Sequence, residues 1–201
     1  PRQDCEYLLA RLSEWLSDPS FADEEHLGLG APILKAIISH LYIAFIHPFG
    51  DGNGRTARLV EFQLLVASGV PSPAAHLLSN HYNETRTEYY RRLDIASGAQ
   101  IGTLSFILYA LQGFVDGLRA QLELIREQQL DVAWENFVHQ NFRDRTSAAS
   151  VRQRRLVLDL SRNGEPVPRS RLRRLTPRLA EAYAGMTDKA LTRDINALQK
   201  L

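Results

Sequence analysis

His47-Pro48-Phe49-Gly50-Asp51-Gly52-Asn53-Gly54-Arg55-Thr56-Ala57-Arg58 decides how the chain is read, because it is a tight loop set between two apolar helical patterns. Upstream, Pro32 suits a first helical turn, and Ile33–Ile46 follows with Ile37, Ile38, Leu41, Ala44 and Phe45 on one broad face. Pro48 removes a backbone donor, and Gly50 and Gly52 favour turn geometry, so that helix stops at the loop. A second helix is expected from Asn53 to Ser68, with Leu59, Phe62, Leu65 and Val66 inward and Gly69 as its stop. Further out, Cys5–Leu16 carries a stripe of Leu8, Leu9, Leu12, Trp15 and Leu16, ended by Pro19. Helices are also expected over Asn83–Ser97 and Thr103–Phe142, the latter interrupted in propensity by Gly113 and Gly117. No alternating strand pattern appears in the first 145 positions.

Read as chemistry, the loop is an anion site made of independent parts. Gly50, Gly52 and Gly54 free the backbone to aim its N–H groups at one point. The helix that starts there adds the unpaired amides and positive dipole end of its first turn. Arg55 and Arg58 are three apart, hence on one helical face, and suit neighbouring phosphates. Asp51 offers a hard oxygen ligand for Mg²⁺. His47 is the one side chain of the loop that exchanges a proton near neutral pH. Phosphates, a metal and a base side by side describe phosphoryl or nucleotidyl transfer. Competing motifs fail: an EF-hand from Asp51 would need glycine at Thr56 and glutamate at Phe62. No Gly-Lys-Ser/Thr follows for a Walker loop, and His76 and His81 lack the paired cysteines of a zinc finger. His40 is read as a packed helix residue rather than a catalytic one.

Composition sets the frame. The chain has 201 residues, 44% hydrophobic and 23% charged, which is the balance of a folded soluble protein with one large or two modest domains. No apolar stretch reaches the ~20 residues of a membrane span in this reading, so no membrane partner is expected. The single cysteine, Cys5, excludes an internal disulfide and points to a reducing, cytoplasmic setting. No signal peptide precedes it, and a chain opening at Pro1 is expected to be a fragment. Charge divides the chain: residues 146–201 hold twelve basic and five acidic groups, net +7, and the remainder is −6. Two units are therefore expected, 1–145 and 146–201, joined near Arg143–Ser150.

The quoted stretch matches the Fic motif, H-P-F-x-D/E-G-N-G/K-R-x-x-R, at every specified position. Residues 1–140 resemble the helical Fic core, the helix ending Phe45-Ile46 and the later Glu88-Tyr89-Tyr90-Arg91-Arg92-Leu93 included. The resemblance implies a mainly α fold and a protein adenylyltransferase that moves AMP from ATP to a Ser, Thr or Tyr hydroxyl of a target protein. It implies His47 as general base, Asp51 on Mg²⁺, and Gly50, Gly52, Asn53 and Gly54 around the α and β phosphates. Arg55 and Arg58 would neutralise the β and γ groups. Phe49 is read as a buried anchor of the loop, and Asn53 as either a phosphate-orienting group or a helix cap. Gly54, where Doc-type kinases carry lysine, implies adenylyl rather than phosphate transfer. Asn83, Tyr89 and Tyr90 are the adenine-pocket candidates. Two departures stand: the target-positioning flap would lie upstream of Pro1, and no S/T-x-x-x-E-G/N inhibitory string occurs. Its nearest counterpart, Glu135-Asn136, has Asp131 where a hydroxyl residue is required.

The basic tail reads as helices over Val151–Leu160, Ser170–Leu175 and Thr187–Leu198. In the last, Leu191, Ile195 and Leu198 form the apolar stripe, while Lys189, Arg193, Asn196 and Lys200 lie around the other side. Leu191-Thr192-Arg193-Asp194-Ile195 resembles the helix-turn-helix core of a winged-helix domain, which implies DNA contact through Lys189, Arg193 and Asn196, or else protein docking or homodimer formation. Two rival functions remain open: a DNA-binding regulator whose Fic core senses nucleotide without transferring it, and an enzyme that removes AMP from a modified protein.

Overall fold

The structure is a computed structural model that describes residues 2–18, 28–98 and 100–200. Pro19, the expected stop of the first helix, lies outside the described residues. Eleven α-helices and no strand occur among the described residues: α1 Arg2–Ser17, α2 Gly30–Ile46, α3 Asn53–Ala67, α4 Ser72–Ala75, α5 Leu77–Glu84, α6 Arg86–Gly98, α7 Gln100–Asn141, α8 Ala148–Ser161, α9 Arg169–Leu172, α10 Pro177–Ala182 and α11 Asp188–Leu198. Contacts gather them into two compact units that divide within α7, at Leu122 and Glu123, upstream of the boundary read from charge.

The first unit is organised by the pairing of α2 with α3. Ala36, Ile37 and Leu41 of α2 meet Leu65 of α3, Leu78 and Tyr82 of α5, Tyr89 of α6, and Phe106, Ala110 and Phe114 of α7 in one core. A smaller cluster seats α1, through Leu12, on Ile43 and Ala57. The Cys5 thiol donates to the Ile46 carbonyl at 3.7 Å, tying α1 to the last turn before the loop. The expected α3 stripe needs correction. Leu59 and Val66 are exposed, and Ala57, Glu61 and Leu65, one helical turn apart, point inward instead. Phe45 is likewise exposed on α2.

Helix α7 runs unbroken through Gly113 and Gly117, because its glycines serve close packing rather than breakage. A Cβ at Gly113 would lie 2.2 Å from the His81 ring, and one at Gly102 would lie 2.2 Å from the Ile95 carbonyl oxygen. The helix also corrects the expectation about apolar length. Ile101–Asn141 is long and apolar enough to cross a membrane by length and composition, with mean hydropathy 1.4 over its most apolar window. Its aliphatic residues are interleaved with Gly, Ser, Thr and Gln, so the run is not visible as consecutive apolar letters. Only 28% of that window is buried, because one face packs inward and the opposite face does not.

The second unit packs Leu156 of α8, Leu172 of α9, Leu179 of α10, Tyr183 and Leu191 of α11 around a buried acid. Asp194 accepts from Arg152 Nε at 2.6 Å, Gln153 Nε2 at 2.9 Å and the Tyr183 hydroxyl at 2.9 Å. Burial pushes this carboxyl up, but the bonds from Arg152, Gln153 and Tyr183 win and hold it below the usual range. Helix α10, capped by the Thr176 hydroxyl accepting from Leu179 N, is an element the sequence reading lacks. It and α11 each pack on α8, and no strand accompanies them among the described residues, so a winged-helix domain is not seen there. Replacing Asp194 with Ala strands the guanidinium of Arg152, itself largely buried, and should destabilise this unit by ~3 kcal/mol, read from urea unfolding. A loss within ~0.5 kcal/mol, the size of a surface change, would refute the role given to the buried acid.

Candidate nucleotide site

The chain leaves α2 by an unusual turn. His47 is the C-cap residue, with φ 50 and ψ 55, the one non-glycine residue at positive φ among those described. For an L-residue this conformation costs roughly 1–2 kcal/mol, and the following proline narrows the alternatives. Two sets of bonds hold it. The His47 amide donates to the Ile43 carbonyl at 3.1 Å, closing α2. The buried Asn53 then clamps the loop from the far side: its Oδ1 accepts from Phe49 N at 2.8 Å, and its Nδ2 donates to Phe49 O at 2.6 Å. The Asn53 side chain thus acts as a backbone clasp, a role beyond the two weighed from sequence, and does not cap α3. Phe49 is held by its main chain while its ring is 49% exposed, which overturns the buried-anchor reading.

Helix α3 begins at once, with Gly52 as N-cap at φ 89 and no side chain capping it. The amides of Asn53, Gly54 and Arg55 have no carbonyl one turn back to bond within the helix, so this end faces out as an anion site. A cleft of about 360 Å³ opens there, lined by His47, Gly50, Asp51, Gly52, Asn53, Gly54, Arg55, Arg58, Tyr89 and Tyr90, with Ala44 and Leu93. One concavity therefore collects every loop residue singled out from sequence, and Tyr89 and Tyr90 with them. Asn83 is exposed on α5 and does not line it. Of the two tyrosines, Tyr90 is exposed and free to stack on a ligand, while Tyr89 is buried and bonded elsewhere.

The glycines keep the cradle open. A Cβ on Gly52 would stand 3.4 Å from Arg55 Nη2, and one on Gly54 would stand 3.4 Å from Arg58 Nη1, filling space in front of both guanidinium groups. Asp51 is exposed, accepting from Gly52 N at 2.6 Å and from Arg55 at 2.9 Å. An ion pair this exposed is weak, so the carboxylate is free to exchange the arginine for a cation. A hard carboxylate beside two arginines, at an uncapped helix start, fits a magnesium-bound polyphosphate. Among the described residues no cluster of three or more His, Cys, Asp or Glu would hold a metal alone.

Beneath the cleft lies a network that sequence reading missed. Glu61, one turn past Arg58, is 1% exposed. Its Oε1 accepts from the Tyr82 hydroxyl at 2.9 Å, and its Oε2 sits 3.2 Å from His40 Nδ1. The other ring nitrogen of His40 is 3.0 Å from the Tyr89 hydroxyl. Burial pushes Tyr89 up to about 12, offset in part by Arg58, and burial with the Glu61 carboxylate pushes Tyr82 up as well. Both phenols therefore keep their protons at neutral pH. Tyr89 and His40 Nε2 thus share a hydrogen bond, and the Nδ1 edge of the ring faces Glu61. Four buried polar groups are thus mutually satisfied, joining α2, α3, α5 and α6 under the loop. The available signal was a carboxylate at the i+4 position between Ala57 and Leu65, on a face that otherwise packs.

The comparisons with known proteins bear on this same stretch. The Fic/DOC family matches residues 1–65, which contain the loop, all of α2 and nearly all of α3. Protein adenylyltransferase fic-1 of Caenorhabditis briggsae is 38% identical over 95 residues, 46% of this chain and 16% of that protein. The Caenorhabditis elegans protein of the same name is 37% identical over 95 residues, and the Drosophila melanogaster protein adenylyltransferase Fic is 33% identical over 98. The alignments thus span only 16–18% of these relatives' own length. No solved structure matches the chain. Residues 1–65 are therefore similar in sequence to the Fic/DOC family, and the chain is similar over 95–98 residues to protein adenylyltransferases.

Glu61→Ala tests the buried network. It leaves His40 and Tyr82 without their shared acceptor and should lower unfolding stability by ~3 kcal/mol. Glu61→Gln, which keeps volume and an acceptor oxygen, should lose less than half of that in the same denaturation experiment. Equal losses for the two variants would contradict the network.

Proposed function

We propose that this chain is a protein adenylyltransferase that transfers AMP from magnesium-bound ATP to a hydroxyl of a target protein. The observation that carries the proposal is the convergence, in one cleft, of a base, a hard carboxylate, two arginines and an uncapped helix start. His47 stands at the cleft's mouth and takes the proton of the acceptor hydroxyl as that oxygen attacks the α-phosphorus in line. The bond to the bridging oxygen breaks and pyrophosphate leaves. Charge grows on that leaving group, and Arg55, Arg58 and the first-turn amides of α3 line the cleft that would receive it, where they stabilise the charge as it develops. Asp51 would hold Mg²⁺, which when bound neutralises phosphate charge and fixes the α and β groups relative to each other. Gly50, Gly52 and Gly54 contribute backbone access, and Asn53 keeps the loop in shape. Tyr90 offers a face for the adenine ring. Similarity of residues 1–65 to the Fic/DOC family, and of 95 residues to a protein adenylyltransferase, supports the same reading.

Replacing His47 with Ala should leave Mg-ATP binding within a few-fold of the parent while lowering AMP transfer ~10²–10⁴-fold, measured with labelled ATP and a target lysate. Undiminished labelling by the variant would remove His47 from the mechanism. Loss of nucleotide binding in the variant would assign it a binding role instead.

A second reading concerns residues 146–201. Lys189, Arg193 and Asn196 are all exposed along one side of α11, while Leu191 and Asp194 anchor the other side in the core. That disposition favours contact of the basic face with a DNA backbone, with Asn196 placed for a base edge. Substituting Ala for both Lys189 and Arg193 should reduce the salt-dependence slope of binding to duplex DNA by about 2. Absence of any DNA binding by the parent at about 50 mM salt would leave protein docking as the use of this face.

A further inference from the structure

Helix α7 carries two apolar stripes on opposite sides. One side, Gly102, Phe106, Ala110, Gly113 and Phe114, is buried in the core of the first unit. The other is exposed: Ile101 at 84%, Leu104 and Leu108 at 57%, Val115 at 38% and Leu122 at 53%. Leu111 and Leu118 complete this second stripe at its edge, where they also touch the core. A helix that is apolar on both sides demands a second partner, since water gains nothing from either face.

The spacing of the exposed stripe identifies the kind of partner. Its members alternate steps of three and four without exception: Ile101, Leu108, Val115 and Leu122 in one register, Leu104, Leu111 and Leu118 in the other. The same steps continue in the sequence through Ile125 and Val132, with Gln129 the one polar member. This is the 3.5-residue period of a two-stranded coiled coil, in which the two registers are the a and d positions. A helix face packed on a globular core is broader than this narrow seam. Leu and β-branched residues are also distributed as a dimer requires, with Leu at each of the three d positions in 101–122 and Ile or Val at two of the four a positions.

We propose that this stripe is the interface for a second copy of this chain, paired in parallel through α7. Self-pairing is favoured by the stripe and its flank. The g side of the stripe, Ile107, Phe114 and Gln121, is turned to its own unit, and the a and d positions from Ile101 to Leu122 carry no charge, so a second identical stripe can meet them without burying one. Asp116 and Arg119 are already occupied with each other along one helix, at the margin of the stripe, where they remain in water. Asp116 and Arg119 on α7 also argue for an aqueous setting over a lipid one. The stripe from Ile101 to Leu122 is about 32 Å long. Short isolated coiled coils are limited by the cost of forming the helices. Here Phe106, Ala110 and Phe114 hold α7 helical beforehand, so pairing orders side chains only. The proposal does not depend on the adenylyltransferase reading.

Sedimentation velocity of the chain at micromolar concentration should show a dimer. Leu108→Glu with Leu122→Glu, both at exposed positions, should preserve helix content by circular dichroism yet raise the dimer dissociation constant at least ~100-fold. Oxidation of Val115→Cys, in a Cys5→Ser background, should cross-link two copies, because level a positions face each other in a parallel pair. A monomeric parent overturns the proposal, as does a double-glutamate variant that dimerises equally well. A dimer that fails to cross-link at position 115 overturns the parallel pairing. Co-flotation of the parent, but not of the double-glutamate variant, with phosphatidylcholine vesicles would assign the stripe to a membrane instead and also overturns it.

Discussion

The carboxylate of Glu61 is the constraint on which the site's geometry rests. A buried acid is costly unless its oxygens are satisfied, and here one accepts from Tyr82 while the other faces His40. The pair of bonds fixes α3 against α2 and α5, and His40 extends the link to Tyr89 on α6. Arg58 lies one turn before Glu61 and His47 two turns after His40, so the same braces set both groups across the cleft. The alternative, an apolar core at these positions, would pack as well but would not define the rotation of α3 about its axis. Directional bonds define it.

Above that base, the loop combines strain with restraint. His47 adopts a left-handed conformation that costs energy, and it does so because α2 ends there and Asn53 clasps the main chain of Phe49. The functional side chains, in contrast, are tied lightly. Asp51 and Arg55 pair only with each other and with a loop amide, in solvent, so they can turn to a ligand without breaking anything buried. Rigid backbone under mobile charge is what a polyphosphate site needs: the amides cannot be relaxed away, while the charges can follow the substrate.

Much of this was legible in the sequence, and the gaps have physical causes. The motif is local, so twelve consecutive residues specify the turn, the helix start and the charges with no tertiary information. The helices that pair, α2 and α3, were found from the same local signals. Phe49 was misread and the Asn53 clasp missed because side-chain direction inside an irregular loop depends on that clasp, which ties the Asn53 side chain to the Phe49 main chain and has no residue-type signature. Glu61 was missed because an acid on a helix reads as solvent-facing until its partners, His40 and Tyr82, each 21 positions away, are known. In α7, Gly113 reads as a helix breaker by propensity but is a contact point, since the His81 ring occupies the space of its missing Cβ. The tail's α10 is short and opens on Pro177, which reads as a stop when its partner helices are not in view.

The account's central claim is that the loop amides and arginines receive the phosphates of a nucleotide held within reach of His47. A crystal structure of the chain grown with magnesium and a non-hydrolysable ATP analogue tests it most directly. The α and β phosphates should lie against the amides of Gly52, Asn53 and Gly54, with the metal on Asp51 and the imidazole of His47 on the open side of the α-phosphorus. Phosphates lodged away from the start of α3, or an imidazole turned from the α-phosphorus, would contradict it.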